Sequence, residues 1–366
     1  PSYKYVKYLL IILRGVKKMI KEKMVRAMLE PLVSKAIKDI KSDPERGLRN
    51  TVDLALNFPT GRFSKKLFQI TQKMLSNENS AYYNLINKIS ADVNEENLKD
   101  FSMNIGYNSC TFGAKKLREK ESEMGFAIAW SISLYSSELP NWSEYVDKII
   151  DQGNDFGIYL YPIFGSMAFD LKMIDIYKKH NDCAFVLLVD ADDVCSADLN
   201  NIDNINNILI SISGDDNSSV LKASDKLRKY GRLYSYHLYY SEKNAEKILE
   251  DGFLKSLEQY TNSFVFYIPD IDCDINIADI IKTNVIQIRN EQHYAFVLMD
   301  LRNDLYIIDG IISGGAYSIG FKSDGTVLTR VGIVDDKRCD IKINSLSDVL
   351  KTLNKLKLNE IEKNQV

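Results

Sequence analysis

Two hydrophobic periodicities divide the chain. From residue 1 to about 122, apolar residues recur at helical spacing, with breaks at Pro31 and at SDPERG (42–47). From Phe126 the pattern changes to short apolar runs that are separated by amphipathic segments. The pattern predicts an all-helical N-terminal region that is followed by an α/β region.

The α/β region contains six predicted strands with helices between them. Strands that alternate with helices at this pitch form a parallel sheet with right-handed crossovers. Six such units predict an α/β fold with a partial (β/α)6 TIM-like barrel. The predicted strands are 126–134, 156–163, 183–190, 207–213, 232–240 and 263–269, and the helices between them lie near 142–154, 169–179, 196–204, 217–230 and 243–260.

After Asp274 the alternation stops and short strands are predicted, which indicates a small β-rich extension. KSDG (322–325) is a turn signal and predicts a hairpin, and a last helix is predicted near 345–357. The predicted strands lie within 293–300, 304–309, 315–334 and 339–344. The predicted regions are 1–122, helical; 123–274, the partial barrel; and 275–366, the C-terminal extension.

Composition and charge are those of a soluble globular protein. Hydrophobic residues make up 45% of the 366 residues and charged residues 27%. The net charge of −3 argues against general binding to nucleic acid. The five cysteines are an odd number at wide spacing, which favours reduced thiols over a disulfide framework. With no signal peptide recognisable, we expect a cytoplasmic protein.

The N-terminus has the one local charge bias. Residues 1–41 carry eleven Lys or Arg against three Asp or Glu. The apolar block Leu9–Leu13 is too short to span a bilayer. Two interpretations remain open: a surface helix that packs on the rest of the protein, or a basic amphipathic helix, residues 1–26, that docks on an anionic membrane.

Several strings along the chain resemble one superfamily. They include FGAKKLREKESEMGFAIAW (112–130), DKIIDQGNDFGIYLY (147–161) and MDLRNDLYIIDGIISGGAYSIGFKSDGTV (299–327). Together with the predicted architecture they resemble the radical SAM superfamily, in the branch with a helical N-terminal region and a C-terminal auxiliary-cluster segment. The resemblance covers nearly the whole chain and lies in the framework, with no single diagnostic motif.

The main departure from that family lies in the loop after the first barrel strand. Active members carry Cys-x-x-x-Cys-x-x-Cys there, and the three thiolates hold a [4Fe–4S] cluster to which SAM binds. The matching stretch is SLYSSELPN (133–141), which is short and has no cysteine. Ser136 and Ser137 cannot replace thiolates, because a neutral hydroxyl is a poor iron ligand.

Three further positions of the resemblance have lost their functional residue. The glutamate that would grip the SAM amino group is Met167, in GSMA (165–168), and the Thr-Asn-Gly position is VDA (189–191). The two cysteine positions of the auxiliary segment fall on Ile311 and Arg330. The resemblance therefore implies a degenerate member: a catalytically inactive pseudoenzyme that acts as a binding, regulatory or scaffold partner of an enzyme or peptide substrate.

No cofactor is expected, but residual binding of SAM or a nucleoside stays open. The family match implies that such a ligand would lie at the carboxyl ends of strands two, four and six. His237 lies in the alternating stretch RLYSYHLYY (232–240) and is either a ligand contact or a core histidine. The predicted ligand contacts are Gly165, Ser166, Ser211, Ser213, His237, Tyr267 and Pro269.

The alternative function is an enzyme of another class that reuses the barrel mouth. Asp190, Asp192 and Asp193 could bind a hard cation through oxygen, although acidic residues before a helix also act as caps. Cys195 and Cys273 could approach the same mouth, where buried or surface free thiols are the simpler interpretation. A second acidic stretch, PDIDCD (269–274), would suit a basic segment of a protein partner.

Overall fold

The computed structural model describes residues 24–56, 72, 77, 79–136, 141–315, 318–330 and 332–363. The chain has a mixed α/β fold in which ten strands form one curled, open sheet, a partial barrel. The strands are β1 (Ile132–Tyr135), β2 (Leu160–Phe164), β3 (Ala184–Asp190), β4 (Ile208–Ser213), β5 (Tyr234–Tyr240), β6 (Phe264–Pro269), β7 (Val297–Asp300), β8 (Ile319–Lys322), β9 (Val327–Thr329) and β10 (Gly332–Val334).

The strands β1 to β7 follow one another across the sheet, and each pair of neighbours is parallel. β8 runs parallel to β1 on its other side, and β9 and β10 continue from β8 in antiparallel fashion. In the described chain β7 and β10 are the two edges, so the barrel is open. Eight parallel strands therefore end along one edge of the sheet, which we call the carboxyl rim.

Helices connect the parallel strands and cover one face of the sheet. Their starts follow sequence signals: Asp170, Asp216 and Asp274 precede three of them, and each side chain accepts a backbone N–H of the first turn. The helices from β1 onward are Trp142–Phe156, Leu171–Lys179, Ala191–Ser196, Asn217–Lys229, Asp251–Ser256, Ile275–Glu291, Leu301–Ile312 and Leu346–Lys363.

All elements in the described part of residues 24–124 are helical. A ten-residue π-helix, Asn104–Gly113, lies among them and places two buried amides against the start of β3. Asn104 Nδ2 donates to the Cys183 carbonyl at 2.8 Å, and Asn108 Nδ2 donates to the Asp182 carbonyl at 2.7 Å. The other helices of this region are 24–42, Pro44–Leu56, Tyr82–Asp92, Glu95–Met103 and Ala114–Met124.

Membrane contact through residues 1–26 stays a prediction, because residues 1–23 lie outside the described chain. None of the described helices combines the length and the apolar character that crossing a bilayer requires.

All six strands predicted for the barrel are present in the order predicted. The first is displaced toward its end, from 126–134 to Ile132–Tyr135, and the second from 156–163 to Leu160–Phe164, because the preceding helix extends to Phe156. The backbone N–H groups that precede β1 are bonded to side chains and not to a neighbouring strand. Ile128 N donates to Glu121 Oε1 at 2.8 Å, and Trp130 N donates to Asp309 Oδ1 at 2.5 Å. These side-chain partners explain why the apolar run 126–130 is not strand.

Beyond residue 274 the prediction was partly wrong. The α/β alternation continues through helix Ile275–Glu291 and β7, and 304–309 is helical, not strand. Asp300 caps that helix by accepting from Asn303 N, and this cap turns an apolar run that could be strand into helix. Residues 339–344 are not strand: Cys339 ends the 3-10 helix Lys337–Cys339, and a turn over 341–343 follows.

The hairpin predicted at 322–325 is confirmed by the antiparallel pair β8–β9, with Gly325 at φ 97°. The domain boundary at 274/275 stays a prediction, although the sheet itself continues across it.

Candidate functional site at the carboxyl rim

The pairing register divides the predicted ligand contacts between two faces of the sheet. Ser211 of β4 pairs with Ser235 of β5, so Ser211, Ser213, Ser235 and His237 share one face. The other face carries the helices; we call the first the inner face. Gly165 and Ser166 follow β2 at the rim.

Tyr267 and Pro269 do not join the inner face. Tyr267 pairs with Leu238, the neighbour of His237, and so points to the helix side. Its hydroxyl donates to the Ile248 carbonyl at 2.6 Å, and the side chain is fully buried. Burial also raises its pKa far above the usual range. Tyr267 is placed as a packing residue, and Pro269 lies on the same side.

Three side chains form a buried polar group on the inner face, which we call the inner polar group: Ser211, Ser235 and His237. A hydrogen bond of 3.1 Å joins Ser211 Oγ and His237 Nδ1. Burial lowers the pKa of His237 to about 3, so the imidazole is neutral at pH 7. Ser235 Oγ is buried and has no hydrogen-bond partner among the described residues. The group therefore places one unpaired hydroxyl in the interior of the described chain.

Gly165 is explained by packing at the rim. It has φ 111°, and a Cβ at this position would lie 2.7 Å from the Ser136 carbonyl oxygen. Its N–H donates to the Leu188 carbonyl at 3.0 Å. Only glycine tolerates both the positive φ and the close approach. Ser166 is exposed beside it.

The end of β1, where the resemblance would place the cluster loop, is closed against β2. The rings of Tyr135 and Phe164 stack with centroids 4.6 Å apart and an interplanar angle of 13°. Ser136 donates to the Phe164 carbonyl through its N–H at 2.7 Å and through its hydroxyl at 2.8 Å. Burial raises the pKa of Tyr135 to about 12. Ring stacking and two hydrogen bonds therefore join the ends of β1 and β2.

All five cysteines lie in the described chain as free thiols on separate elements. Burial raises the pKa of Cys110 to about 12 and that of Cys339 to about 11, and it raises the pKa of Cys183 and Cys273 as well. These four thiols are protonated at pH 7. Among the described residues, the one group of three or more Cys, His, Asp or Glu side chains close enough to share a metal ion contains no cysteine.

The rim is acidic. We call Asp190, Glu242, Asp270, Asp272 and Asp274 the acidic rim; all five are exposed. Burial raises the pKa of Tyr239, and the nearby Asp190 and Asp270 raise it further, so these two carboxylates flank one phenol.

Apolar side chains are exposed in the same region. Tyr239 is 46% exposed, Ile271 75% and Ile275 63%. The rim therefore presents negative charge and apolar surface together.

Asp190, Asp192 and Asp193, which were considered as an alternative cation site, do not form a cluster. Asp190 accepts a hydrogen bond from Ser213 Oγ at 3.1 Å. The three carboxylates are not among the side chains that come close enough to share an ion in the described chain. Asp192 and Asp193 lie in the first turn of helix Ala191–Ser196, where carboxylates favour the helix dipole.

The group that does converge, Asp147, Asp151 and His180, was not predicted from the sequence. A signal for half of it was present: Asp147 and Asp151 are four residues apart in a predicted helix and so share a face. Nothing local to the sequence joins them to His180, which directly follows the next helix.

A scan against family models and a search of curated proteins find no match to this chain.

Proposed function

We propose that this chain is a radical SAM-like pseudoenzyme that binds a protein or peptide partner through its acidic rim. In this proposal the parallel strands β1–β6 are a (β/α)6 radical SAM-like barrel, preceded by a helical N-terminal region. The segment from residue 275 corresponds to an auxiliary segment that has lost its cluster. The partner is a protein or peptide, and the chain itself performs no radical chemistry.

The observation that carries the proposal is the direct contact between the ends of β1 and β2, with no cysteine at either end. A [4Fe–4S] cluster needs thiolates that converge on one side of the barrel. Here Tyr135 stacks on Phe164 at 4.6 Å, and Ser136 is hydrogen-bonded to the end of β2. All five thiols lie on separate elements, and in the described chain the one group of side chains close enough to share a metal contains no cysteine, so the residues present do not fit an iron–sulfur cluster.

The residues that would grip SAM are also poorly suited to it. Met167 stands in place of the carboxylate, and the Gly165 backbone N–H is already bonded to Leu188. Residual nucleoside binding would depend on Ser211, Ser213 and His237, which share the inner face. A neutral His237 can donate or accept one hydrogen bond there but cannot pair with a carboxylate as a cation.

The acidic rim defines the chemistry of the partner. Exposed carboxylates attract a basic segment, and the attraction is screened by salt because the groups face water. Ile271 and Ile275 offer apolar contact beside the charges. One cation, Arg302, lies close enough to lower the pKa of Cys273, but the rim remains negative on balance. A basic segment that also carries an apolar side chain fits this surface best.

Anaerobic reconstitution with iron and sulfide tests the proposal. We expect the purified chain to bind less than one equivalent of iron and to show no cluster absorption. Added SAM should produce no change in any residual spectrum. Stoichiometric [4Fe–4S] that changes its electron paramagnetic resonance signal with SAM would refute the pseudoenzyme assignment.

A further inference from the structure

Three metal-ligand side chains meet at the edge of the sheet opposite the carboxyl rim. Asp147 and Asp151 lie one turn apart on helix Trp142–Phe156, and His180 follows helix Leu171–Lys179. His180 Nε2 is 2.8 Å from Asp147 Oδ1 and 3.8 Å from Asp151 Oδ1. His180 is only 3% exposed, so its imidazole is held in place by packing.

The distances suit a tetrahedral ion. Zinc binds His nitrogen and carboxylate oxygen at about 2.0–2.2 Å, which puts neighbouring ligand atoms about 3.4 Å apart. The separations of 2.8 and 3.8 Å lie on either side of that value, and all three ligand atoms are within 4.8 Å of one another. A set of one imidazole and two carboxylates suits zinc better than magnesium or calcium, which prefer oxygen ligands alone.

A protein cation already lies on the two carboxylates. Lys179 Nζ is 2.8 Å from both oxygens of Asp147 and 3.0 Å from Asp151 Oδ2. The Lys179 side chain is 49% exposed and therefore free to turn into solvent.

An open groove adjoins the cluster and leaves room for a further ligand. It has a volume of about 340 Å³, and Asp147, Lys172, Asp175 and Lys179 are among the residues that line it. A zinc ion with three protein ligands keeps its fourth position for water or another donor. The groove provides access for that donor and for the displaced ammonium.

We propose that Asp147, Asp151 and His180 form a zinc site, in which the Lys179 ammonium occupies the cation position when no metal is bound. The ion would join two neighbouring helices and would stabilise the folded chain in proportion to its affinity. This inference does not depend on the radical SAM proposal, because it involves the other edge of the sheet.

Zinc affinity of the tag-free full-length chain tests the site, measured by competition with a chromogenic chelator. We expect one equivalent of zinc, and a Co²⁺ derivative with the strong visible absorption of a tetrahedral site. Asp151→Asn should weaken zinc binding by about tenfold or more, and Lys179→Met should strengthen it by removing the competing cation. Asp175→Asn, in the groove but outside the cluster, is the matched control and should bind like the parent.

The Asp151 variant keeps the test decisive if variants of buried His180 fail to fold, because the Asp151 side chain is 56% exposed. Circular dichroism and a thermal melt without metal check that each variant is folded. Absence of a stoichiometric site would overturn the proposal. So would zinc binding that Asp151→Asn and Asp147→Asn leave unchanged, which would assign the metal to the cysteines or other ligands.

Discussion

His237 shows how burial decides the chemistry of a single residue. Its imidazole is 2% exposed and bonded to Ser211, and desolvation lowers its pKa to about 3. A histidine in the unfolded chain titrates near 6.5. The folded chain therefore stays unprotonated at this site through a range in which the unfolded chain takes up a proton.

This difference predicts a loss of stability in acid. The contribution of His237 is fully present above about pH 6.5 and decreases as the pH falls toward about 3, by at most about 1.4 kcal/mol per pH unit. Urea unfolding at pH 7.5, 6 and 5 measures it. The His237→Gln variant cannot titrate at this position, so the parent should lose more free energy of unfolding than the variant between pH 6 and 5. If the two free energies fall in parallel with pH, His237 is not held neutral by the fold.

Tyr267 and Gly165 have packing roles in the structure that differ from the predicted ligand contacts. Both were predicted as ligand contacts from their positions at strand ends. The hydroxyl of Tyr267 donates a hydrogen bond to the Ile248 carbonyl. The backbone of Gly165 packs so closely against Ser136 that no side chain fits there. A residue type at a strand end therefore indicates proximity to the rim but not the face on which the side chain lies.

At the scale of elements, the closure between β1 and β2 depends on Gly165. Alanine there would have to adopt φ near 111° and place Cβ 2.7 Å from a backbone oxygen. We expect Gly165→Ala to lower the free energy of unfolding by about 1–3 kcal/mol.

Gly252→Ala is the control for this substitution. Gly252 is in helix Asp251–Ser256, and nothing lies within 4 Å of the position of its Cβ. Alanine should be neutral or stabilising there, by up to about 1 kcal/mol. Urea unfolding compares the two variants; equal effects would mean that the rim tolerates a side chain and that the closure is looser than described.

Strands buried on both faces were the elements best predicted from sequence. The strands β3, β4 and β6 begin within one residue of their predicted positions, since short apolar runs in a parallel sheet are bounded by polar turns. The run 304–309 was assigned to strand and is helix. Four apolar residues between two aspartates are compatible with either structure, and the cap at Asp300 decided between them.

At the scale of the molecule, charge is distributed unevenly although the net charge is only −3. The acidic rim combines carboxylates from β3, from the segment after β5 and from the segment after β6, which are separated by about thirty to fifty residues each. Parallel strands bring these segments to one edge. A basic partner segment would therefore meet a field that no single stretch of sequence produces.

Neutralising part of the rim should weaken the binding of a basic peptide. Exposed ion pairs contribute about 0.5 kcal/mol each, so Asp270→Asn with Asp272→Asn should reduce affinity for a fluorescein-labelled Lys/Leu peptide by about fivefold. Fluorescence anisotropy at low and high salt measures it. Glu119→Gln with Glu123→Gln removes the same charge from helix Ala114–Met124 and should not change the affinity. Equal losses of affinity in the two double variants would mean that the peptide responds to overall charge and not to the acidic rim.

The sequence by itself determined the parallel α/β pattern, the helical spacing of the N-terminal region and the lack of a three-cysteine motif after the first strand. These features depend only on residue type and on spacing along the chain. Hydrophobic periodicity favours a helix or a strand locally, and a cluster needs thiolates at fixed positions in the sequence. Only the tertiary structure decided which side chains meet. Strand register placed Ser211 beside His237 and turned Tyr267 away, and helix packing brought His180 to Asp147, because contacts between distant segments depend on how elements align.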